Sequence, residues 1–167
     1  MRCFIAAWPD EPTRLALRSV SDDVQKRVEH RRASEVDDLH LTLAFIGELA
    51  DDVAYDLSDA IASVRFRPFT WRLDTLGFFS EAGVVWIGAS AEATKSLTAL
   101  AERVRALLDH VAVAYDRRPL APHVTLLRGV KNFVAEKVVP FEWHIDSIAL
   151  YRSSAARRAP RYQRVKR

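Results

Sequence analysis

Two short stretches of this chain repeat the same pair of side chains. Each reads His-x-Thr-Leu, with His40 and Thr42 in one copy and His123 and Thr125 in the other. Both copies lie in apolar, β-branched runs of the kind that forms strands. Residues i and i+2 of a strand lie on the same face, so each imidazole shares a face with a threonine hydroxyl.

This pairing points to proton transfer at a phosphoryl group. An imidazole can give or take a proton near neutral pH, and a short hydroxyl is suited to donate to a phosphoryl oxygen. Because the two copies lie about half the chain apart, they predict two faces across a cleft. Such a site has a general acid and a general base, the parts needed to open or close a phosphodiester.

A single His-x-Thr would more simply be a structural or exposed histidine in a strand, and only its repetition in equivalent segments favours catalysis. The other histidines lack that context: His30 lies in a polar segment, His110 follows a helix end, and His144 alternates with acidic residues. The sequence contains no His-Glu-x-x-His, Cys-x-x-Cys, glycine-rich phosphate loop or Gly-x-Ser-x-Gly. We therefore expect no metal and no cofactor.

The composition predicts an ordinary globular chain. Its 167 residues are 49% hydrophobic and 28% charged, enough for a sizeable core and unlike a disordered chain. A formal charge of +3 is compatible with a phosphate-bearing ligand but does not require one. Cys3 is the single cysteine, which fits a reducing compartment. No run resembles a signal peptide or membrane span, so we expect a cytoplasmic protein with no membrane partner. We also expect it to be a monomer.

Apolar positions three and four residues apart predict three helices. They are expected at residues 10–29, 51–64 and 90–108. Asp10 is expected to cap the first, Asp51 or Asp52 the second and Ser90 the third. Val53 is expected on the buried face of the second helix.

Apolar and alternating runs predict the strands that flank these helices. They are expected at residues 2–7, 39–46, 69–76, 84–89, 123–128, 141–151 and 162–165, with loops or turns at 30–38, 77–83 and 131–140. The order strand, helix, His-x-Thr strand occurs twice. This predicts an α+β fold with two mostly antiparallel sheets facing a central cleft and helices outside. We expect one bilobal domain over residues 1–167, with pseudo-symmetric halves at about 1–80 and 81–167.

The motifs resemble those of the two-histidine phosphoesterase superfamily. The runs that carry the resemblance are His40-Leu-Thr-Leu-Ala-Phe-Ile-Gly47 and Pro122-His-Val-Thr-Leu-Leu-Arg128. Residues 2–6, 73–79, 84–87 and 148–153 are also similar to the bacterial and archaeal branch called 2′,5′ RNA ligases, or RNA 2′,3′-cyclic phosphodiesterases. The resemblance covers nearly the whole chain.

The resemblance implies hydrolysis of 2′,3′-cyclic phosphate ends of RNA to 2′-phosphates, without metal or nucleotide cofactor. It implies His40 as the acid, His123 as the base, and Thr42, Thr125 and Arg128 as phosphate-binding residues.

Two positions depend on strand geometry. By strict alternation Arg128 points away from His123 and joins the site only if the strand ends or bulges. Ala44 is cleft-facing by the same parity and stands where some members carry a basic residue.

Two alternatives stay open at this point. The same site could run the reaction backwards, as ATP-independent 2′,5′ RNA ligation. The chain could instead be an RNA-end or nucleotide-binding module, using rings such as Phe4, Trp8 and Phe45. From Arg152 onward the tail carries seven basic residues and no acidic one, which we expect to raise RNA affinity. The partner is expected to be RNA or a nucleotide bearing a 2′,3′-cyclic phosphate.

Overall fold

The computed structural model describes residues 1–154 and 161–167. Over these ranges the chain has the α+β fold that the sequence predicts, with three α-helices and nine strands in two antiparallel sheets. The elements are β1 Arg2–Ala7, α1 Glu11–Arg27, β2 Arg32–Ala33, β3 Leu41–Glu48, α2 Asp51–Ala62, β4 Phe69–Phe79, β5 Val84–Gly88, α3 Lys95–His110, β6 Val124–Arg128, β7 Glu136–Ile145, β8 Ala149–Ser153 and β9 Tyr162–Arg164. No helix in these ranges is long and apolar enough to cross a membrane.

The strand order of the two sheets brings distant parts of the chain together. One sheet has the order β3-β1-β8-β9, and the other has the order β2-β6-β5-β4-β7. Thus β4 pairs with β5, and β8 and β9 join β1 from the far end of the chain. Neither sheet is drawn from one half of the sequence alone, and the division of one domain at about residue 80 stays a prediction.

The helices bury one face each and leave the other in water. In α1, Asp10 caps the N-terminus as predicted, since its carboxylate accepts from Thr13 N at 3.0 Å. The buried Leu17 and Val24 of α1 lie on the side that meets β6 and β7. Helices α2 and α3 contact β8 and β3 respectively. All three helices therefore stiffen strands that reach the cleft.

Two predicted helix starts are wrong. Ala50 occupies the N-cap of α2 without a side-chain hydrogen bond, while Asp51 and Asp52 lie in the first turn. There their negative charges still interact favourably with the positive end of the helix dipole. Val53 is 39% exposed instead of buried. The third helix begins at Lys95 and not at Ser90, because a 3₁₀ turn at Glu92–Thr94 precedes it.

Three predicted loops contain regular structure. Residues 30–38 include β2 and a 3₁₀ turn at Val36–Asp38. Residues 77–79 extend β4, so the turn is shorter than expected. Residues 136–140 belong to β7, an edge strand, where proline removes no ladder hydrogen bond. The predicted strand 141–151 is two strands, β7 and β8, that lie in different sheets.

Candidate active site

Both His-x-Thr strands contain an extra residue at the same place, directly after the threonine. In β3 the pairing with β1 passes from Thr42 to Ala44 and skips Leu43. In β6 the pairing with β5 passes from Thr125 to Leu127 and skips Leu126. A β-bulge of this kind shifts the side-chain alternation by one position. The residue three places after each threonine therefore returns to the cleft face.

This shift decides the two positions that strict alternation left in doubt. Arg128 is exposed and lines the cleft beside Thr125. Ala44, expected to face the cleft, is instead only 5% exposed and belongs to the core. Its neighbour Phe45 takes the cleft position and is 54% exposed. The expectation for Ala44 is wrong because the bulge was not visible in the sequence.

The cleft has a volume of about 560 Å³ and takes its walls from both sheets. It brings together all of the residues predicted for the site. These are His40, Thr42, His123, Thr125 and Arg128. Of the rings considered for stacking, Phe4 and Phe45 also line it.

The two histidines are held in the same way. His40 Nδ1 lies 2.6 Å from the backbone oxygen of Asp38, and His123 Nδ1 lies 2.6 Å from that of Ala121. A carbonyl oxygen can only accept, so each Nδ1 carries the hydrogen and donates it. The tautomer is therefore assigned by the partner. In both rings Nε2 is left as the nitrogen that can exchange a proton with a bound molecule.

Aromatic rings enclose His40. Trp8 stacks on it with ring centroids 4.9 Å apart and an interplanar angle of 7°. The ring centroid of Phe4 lies 5.0 Å from that of His40, and the ring of Tyr162 contacts His40 edge-on with a centroid distance of 4.9 Å. Trp8 and Phe4 thus lie against a histidine, whereas the sequence had suggested them as rings for a nucleobase. This aromatic box fixes the imidazole plane and keeps water from its faces.

Fewer aromatic rings contact His123 than His40. The ring of Phe79 contacts it edge-on with a centroid distance of 4.9 Å, and the ring centroid of Trp86 lies 6.4 Å away. The indole of Trp86 lies across Gly77 of β4, where any added Cβ would come within 2.1 Å of the ring. Gly77 was expected to begin a turn, but it lies within a strand and leaves room for this tryptophan.

Burial lowers the pKa of both imidazoles in the unliganded protein and so favours their neutral forms. Burial is the main cause that lowers the pKa of His40 from 6.5 to about 4. The hydrogen bond to the Asp38 carbonyl acts in the opposite direction, and positive charge on His123 and Arg128 lowers the pKa further. Burial also lowers the pKa of His123, with a further contribution from Arg128. An anion bound between the rings would oppose these effects, because it favours the imidazolium form.

Asp38 is a cleft residue that the sequence suggested to be a loop charge without a role in the site. Its carboxylate is 6% exposed and accepts from Arg161 N at 3.2 Å, with the guanidinium at 4.0 Å. Burial raises its pKa, which the backbone hydrogen bond from Arg161 partly opposes. Because Tyr162 follows Arg161, this link holds the edge-on ring against His40. The only signal in the sequence was an acidic residue two places before the histidine.

Basic residues from three further segments reach the cleft. They are Arg2 of β1, Arg32 of β2 and Arg161 of the tail. Arg157 and Arg158, part of the basic tail noted in the sequence, lie outside the described residues. Not all of the tail is free for a ligand, since Arg167 pairs with Asp56 of α2.

Among residues 1–154 and 161–167, no group of three or more His, Cys, Asp or Glu side chains is placed to hold a metal ion.

Comparison with known proteins supports one family. The model of the 2′-5′ RNA ligase superfamily matches residues 9–157. The RNA 2′,3′-cyclic phosphodiesterase of Escherichia coli strain K12 is 32% identical over an aligned length of 170 residues. The alignment covers 94% of this chain and 96% of that protein. The enzyme of the same name from Aeropyrum pernix is 31% identical over 77% of this chain and 80% of its own length.

Solved structures give the same result. E. coli LigT complexed with 3′-AMP superposes with a TM-score of 0.81 at 30% identity, covering 99% of this chain and 95% of that one. LigT complexed with phosphate superposes with a TM-score of 0.77 at 29% identity. The match of the family model over most of the chain agrees with the resemblance read from the two motifs. The chain belongs to the 2′-5′ RNA ligase superfamily.

Proposed function

We propose that this protein is an RNA 2′,3′-cyclic phosphodiesterase that opens the cyclic phosphate to a 2′-phosphate. The observation that carries the proposal is the pair of histidines in one cleft, each locked by its Nδ1 hydrogen bond so that Nε2 serves the substrate. The names of the curated relatives support the same reaction. The substrate class is RNA or a nucleotide that ends in a 2′,3′-cyclic phosphate.

The proposed reaction is an in-line displacement at phosphorus. Nε2 of His123 takes a proton from water as the water oxygen attacks the phosphorus. The bond from phosphorus to O3′ breaks, and Nε2 of His40 gives its proton to that oxygen. The products are a 2′-phosphate and a 3′-hydroxyl, so atoms and charge balance once the two histidines re-equilibrate with solvent. The assignment of acid and base rests on the family resemblance, since the two motifs are nearly alike.

The remaining site residues are proposed to hold the phosphate. Thr42 and Thr125 each share a strand face with a histidine and can donate to non-bridging oxygens. Arg128 supplies a positive charge next to both rings. The bound anionic phosphate favours protonation of His40, which the free protein keeps neutral. The acid thus becomes charged when substrate is present.

The proposal is tested by incubating the protein with an oligoribonucleotide that ends in a 2′,3′-cyclic phosphate. We expect a 2′-phosphate product, identified by chromatography against 2′- and 3′-phosphate standards. Activity should persist in EDTA. Loss of activity in EDTA that zinc or magnesium restores would contradict the metal-independent mechanism, and a 3′-phosphate product would contradict the assigned leaving group.

The family also favours a second reaction, ATP-independent 2′,5′ ligation by the same residues. A 5′-hydroxyl takes the place of water, and each histidine performs its step in reverse. Adding an oligonucleotide with a free 5′-hydroxyl to the assay tests for a joined product. The same experiment distinguishes an enzyme from a binding module, which would retain the cyclic phosphate intact.

We also propose that the protein acts as a cytoplasmic monomer. All five proposed site residues line a cleft within one chain. Cys3 is a buried free thiol, as expected of a reducing compartment. Light scattering during size-exclusion chromatography would test the monomer, and a stable dimer would contradict it.

A further inference from the structure

Two arginines face each other on the wall of the cleft. Arg32 of β2 is the direct cross-strand partner of Arg128 of β6. Both are exposed, and both line the cleft. Like charges directly opposite each other destabilise an antiparallel pair. Such a pair is expected to be retained where an anion relieves the repulsion.

The acidic residues nearby do not neutralise this pair. Within the described ranges neither Arg32 nor Arg128 makes an ion pair with a carboxylate. Two acidic residues that line the cleft have other partners. Asp116 pairs with Arg118, and Asp38 pairs with Arg161. Glu35 also lines the cleft but is not bonded to either member of the arginine pair. The two guanidiniums are therefore available to a ligand.

The two arginines lie at different distances from the histidines, and this suggests different roles for them. Arg128 lies three residues beyond Thr125 with the β-bulge between them, a separation of at most roughly 10 Å along the strand. Its charge acts on both histidines, so it belongs to the reacting centre. Arg32 lies on the edge strand β2, about 4.8 Å farther to the side. The pair thus leads outward from the place where the cyclic phosphate is proposed to bind.

We propose that Arg32, beside Arg128 of the reacting centre, forms a second phosphate subsite that holds the phosphodiester on the 5′ side of the terminal nucleotide. The inference rests on the proposed function and names its preferred substrate. The next negative charge along an RNA chain is that phosphodiester, and a guanidinium fork matches its two non-bridging oxygens. The protein is therefore built for an RNA end, and a free cyclic nucleotide lacks the group that Arg32 binds.

The test compares two substrates in three proteins. One substrate is a dinucleotide ending in a 2′,3′-cyclic phosphate, and the other is a 2′,3′-cyclic mononucleotide with a free 5′-hydroxyl. The proteins are the wild type, Arg32→Ala, and the control Arg67→Ala, which removes an exposed arginine that does not line the cleft.

We expect Arg32→Ala to raise KM for the dinucleotide about ten- to hundred-fold, the value of a hydrogen bond to a charged group. KM for the mononucleotide should stay at the wild-type value. The dependence of log KM on log salt should become shallower by about one for the dinucleotide alone. Arg67→Ala should leave KM unchanged for both substrates. The thermal midpoint of Arg32→Ala should be unchanged or raised, because one of two facing like charges is gone.

An equal rise in KM for both substrates would overturn the inference, since Arg32 would then serve the cyclic phosphate or the fold. An unchanged KM for the dinucleotide would overturn it as well. A second measurement separates this inference from the proposed function. If the wild type turns over neither substrate, the proposed function fails, and calorimetric binding of a dinucleotide 2′-phosphate still tests the subsite. Loss of that binding in Arg32→Ala supports it, and equal binding overturns it.

Discussion

The two His-x-Thr strands share a backbone and differ in their surroundings. Each has a bulge directly after its threonine, and each histidine donates from Nδ1 to the carbonyl two residues before it. Around His40, however, three rings close in, whereas His123 meets two. The equivalent cleft positions after the bulges hold Phe45 and Arg128. The repeated backbone places two imidazoles in the cleft in the same way, and their unequal surroundings suit the different tasks proposed for them.

Removing one histidine at a time is expected to have the largest effect. His40→Ala and His123→Ala should each reduce kcat/KM by about 10²–10⁴-fold on the natural substrate. A substrate with sulfur in place of the 3′-bridging oxygen has a leaving group that needs little protonation. On it, His40→Ala should recover most of the loss and His123→Ala should not.

Steady-state kinetics on both substrates check this assignment. Recovery of His123→Ala alone would show that the two histidines have exchanged roles. Recovery of neither would show that acid catalysis is not what His40 supplies.

Removing one hydroxyl at a time should have a smaller effect. Thr42→Val and Thr125→Val each remove one hydrogen bond to a charged phosphate, about 1.5–3 kcal/mol, or roughly ten- to hundred-fold in kcat/KM. Activity should remain above that of either His→Ala variant. Unequal losses in the two variants would show which strand holds the phosphate more firmly. Full wild-type kinetics in either variant would remove that threonine from the site.

The burial of His40 should make the folding stability depend on pH. Its folded pKa of about 4 lies below the ordinary 6.5, so the unfolded chain binds more protons between these values. Stability is therefore fully present above about pH 6.5 and falls as the pH drops towards 4. Between about pH 7.5 and 5 this amounts to a loss on the order of 2 kcal/mol from His40. The lowered pKa of His123 acts in the same direction.

Urea unfolding at several pH values measures this slope. His40→Asn removes the contribution of His40 and should flatten the curve, whereas His144→Asn, at an exposed position on β7, should leave it unchanged. An identical slope in wild type and His40→Asn would contradict the neutral, buried state of this imidazole.

Removing one ring from the aromatic box should have the smallest effect, a change in pKa that is confined mainly to one histidine. Trp8→Leu admits water to one face of His40, so its pKa should rise from about 4 towards 6.5. The pKa of His123 should not change. The matched variant Trp86→Leu removes a ring beside His123, so the pKa of His123 should change more than that of His40.

Titration of the imidazole carbon-bound protons by NMR resolves the two rings. A fall in the pKa of His40 in Trp8→Leu would mean that the indole face stabilises the imidazolium more than it excludes water.

The sequence predicted which residues meet in the cleft better than it predicted the geometry around them. The repeated His-x-Thr motif, the strand and helix order and the Asp10 cap were readable because each is a local pattern. The bulges that turn Phe45 and Arg128 into the cleft depend on the pairing partner, so alternation alone misplaced Ala44. Asp38 and Arg32 were missed for a similar reason. Their roles come from contacts with Arg161 and Arg128, far along the chain.

The pairing of β8 with β1, and of β9 with β8, also has a consequence for the newly made protein. Tyr162, one wall of the box around His40, lies far from it along the chain, and β8 pairs with β1 across a still longer separation. Contacts so distant along the chain form late, because closing a long loop costs entropy before any pairing rewards it. On the ribosome, the nascent chain carries both histidines well before the surroundings of His40 exist. A nascent chain that has not yet reached Tyr162 therefore contains both imidazoles but lacks the edge-on ring against His40.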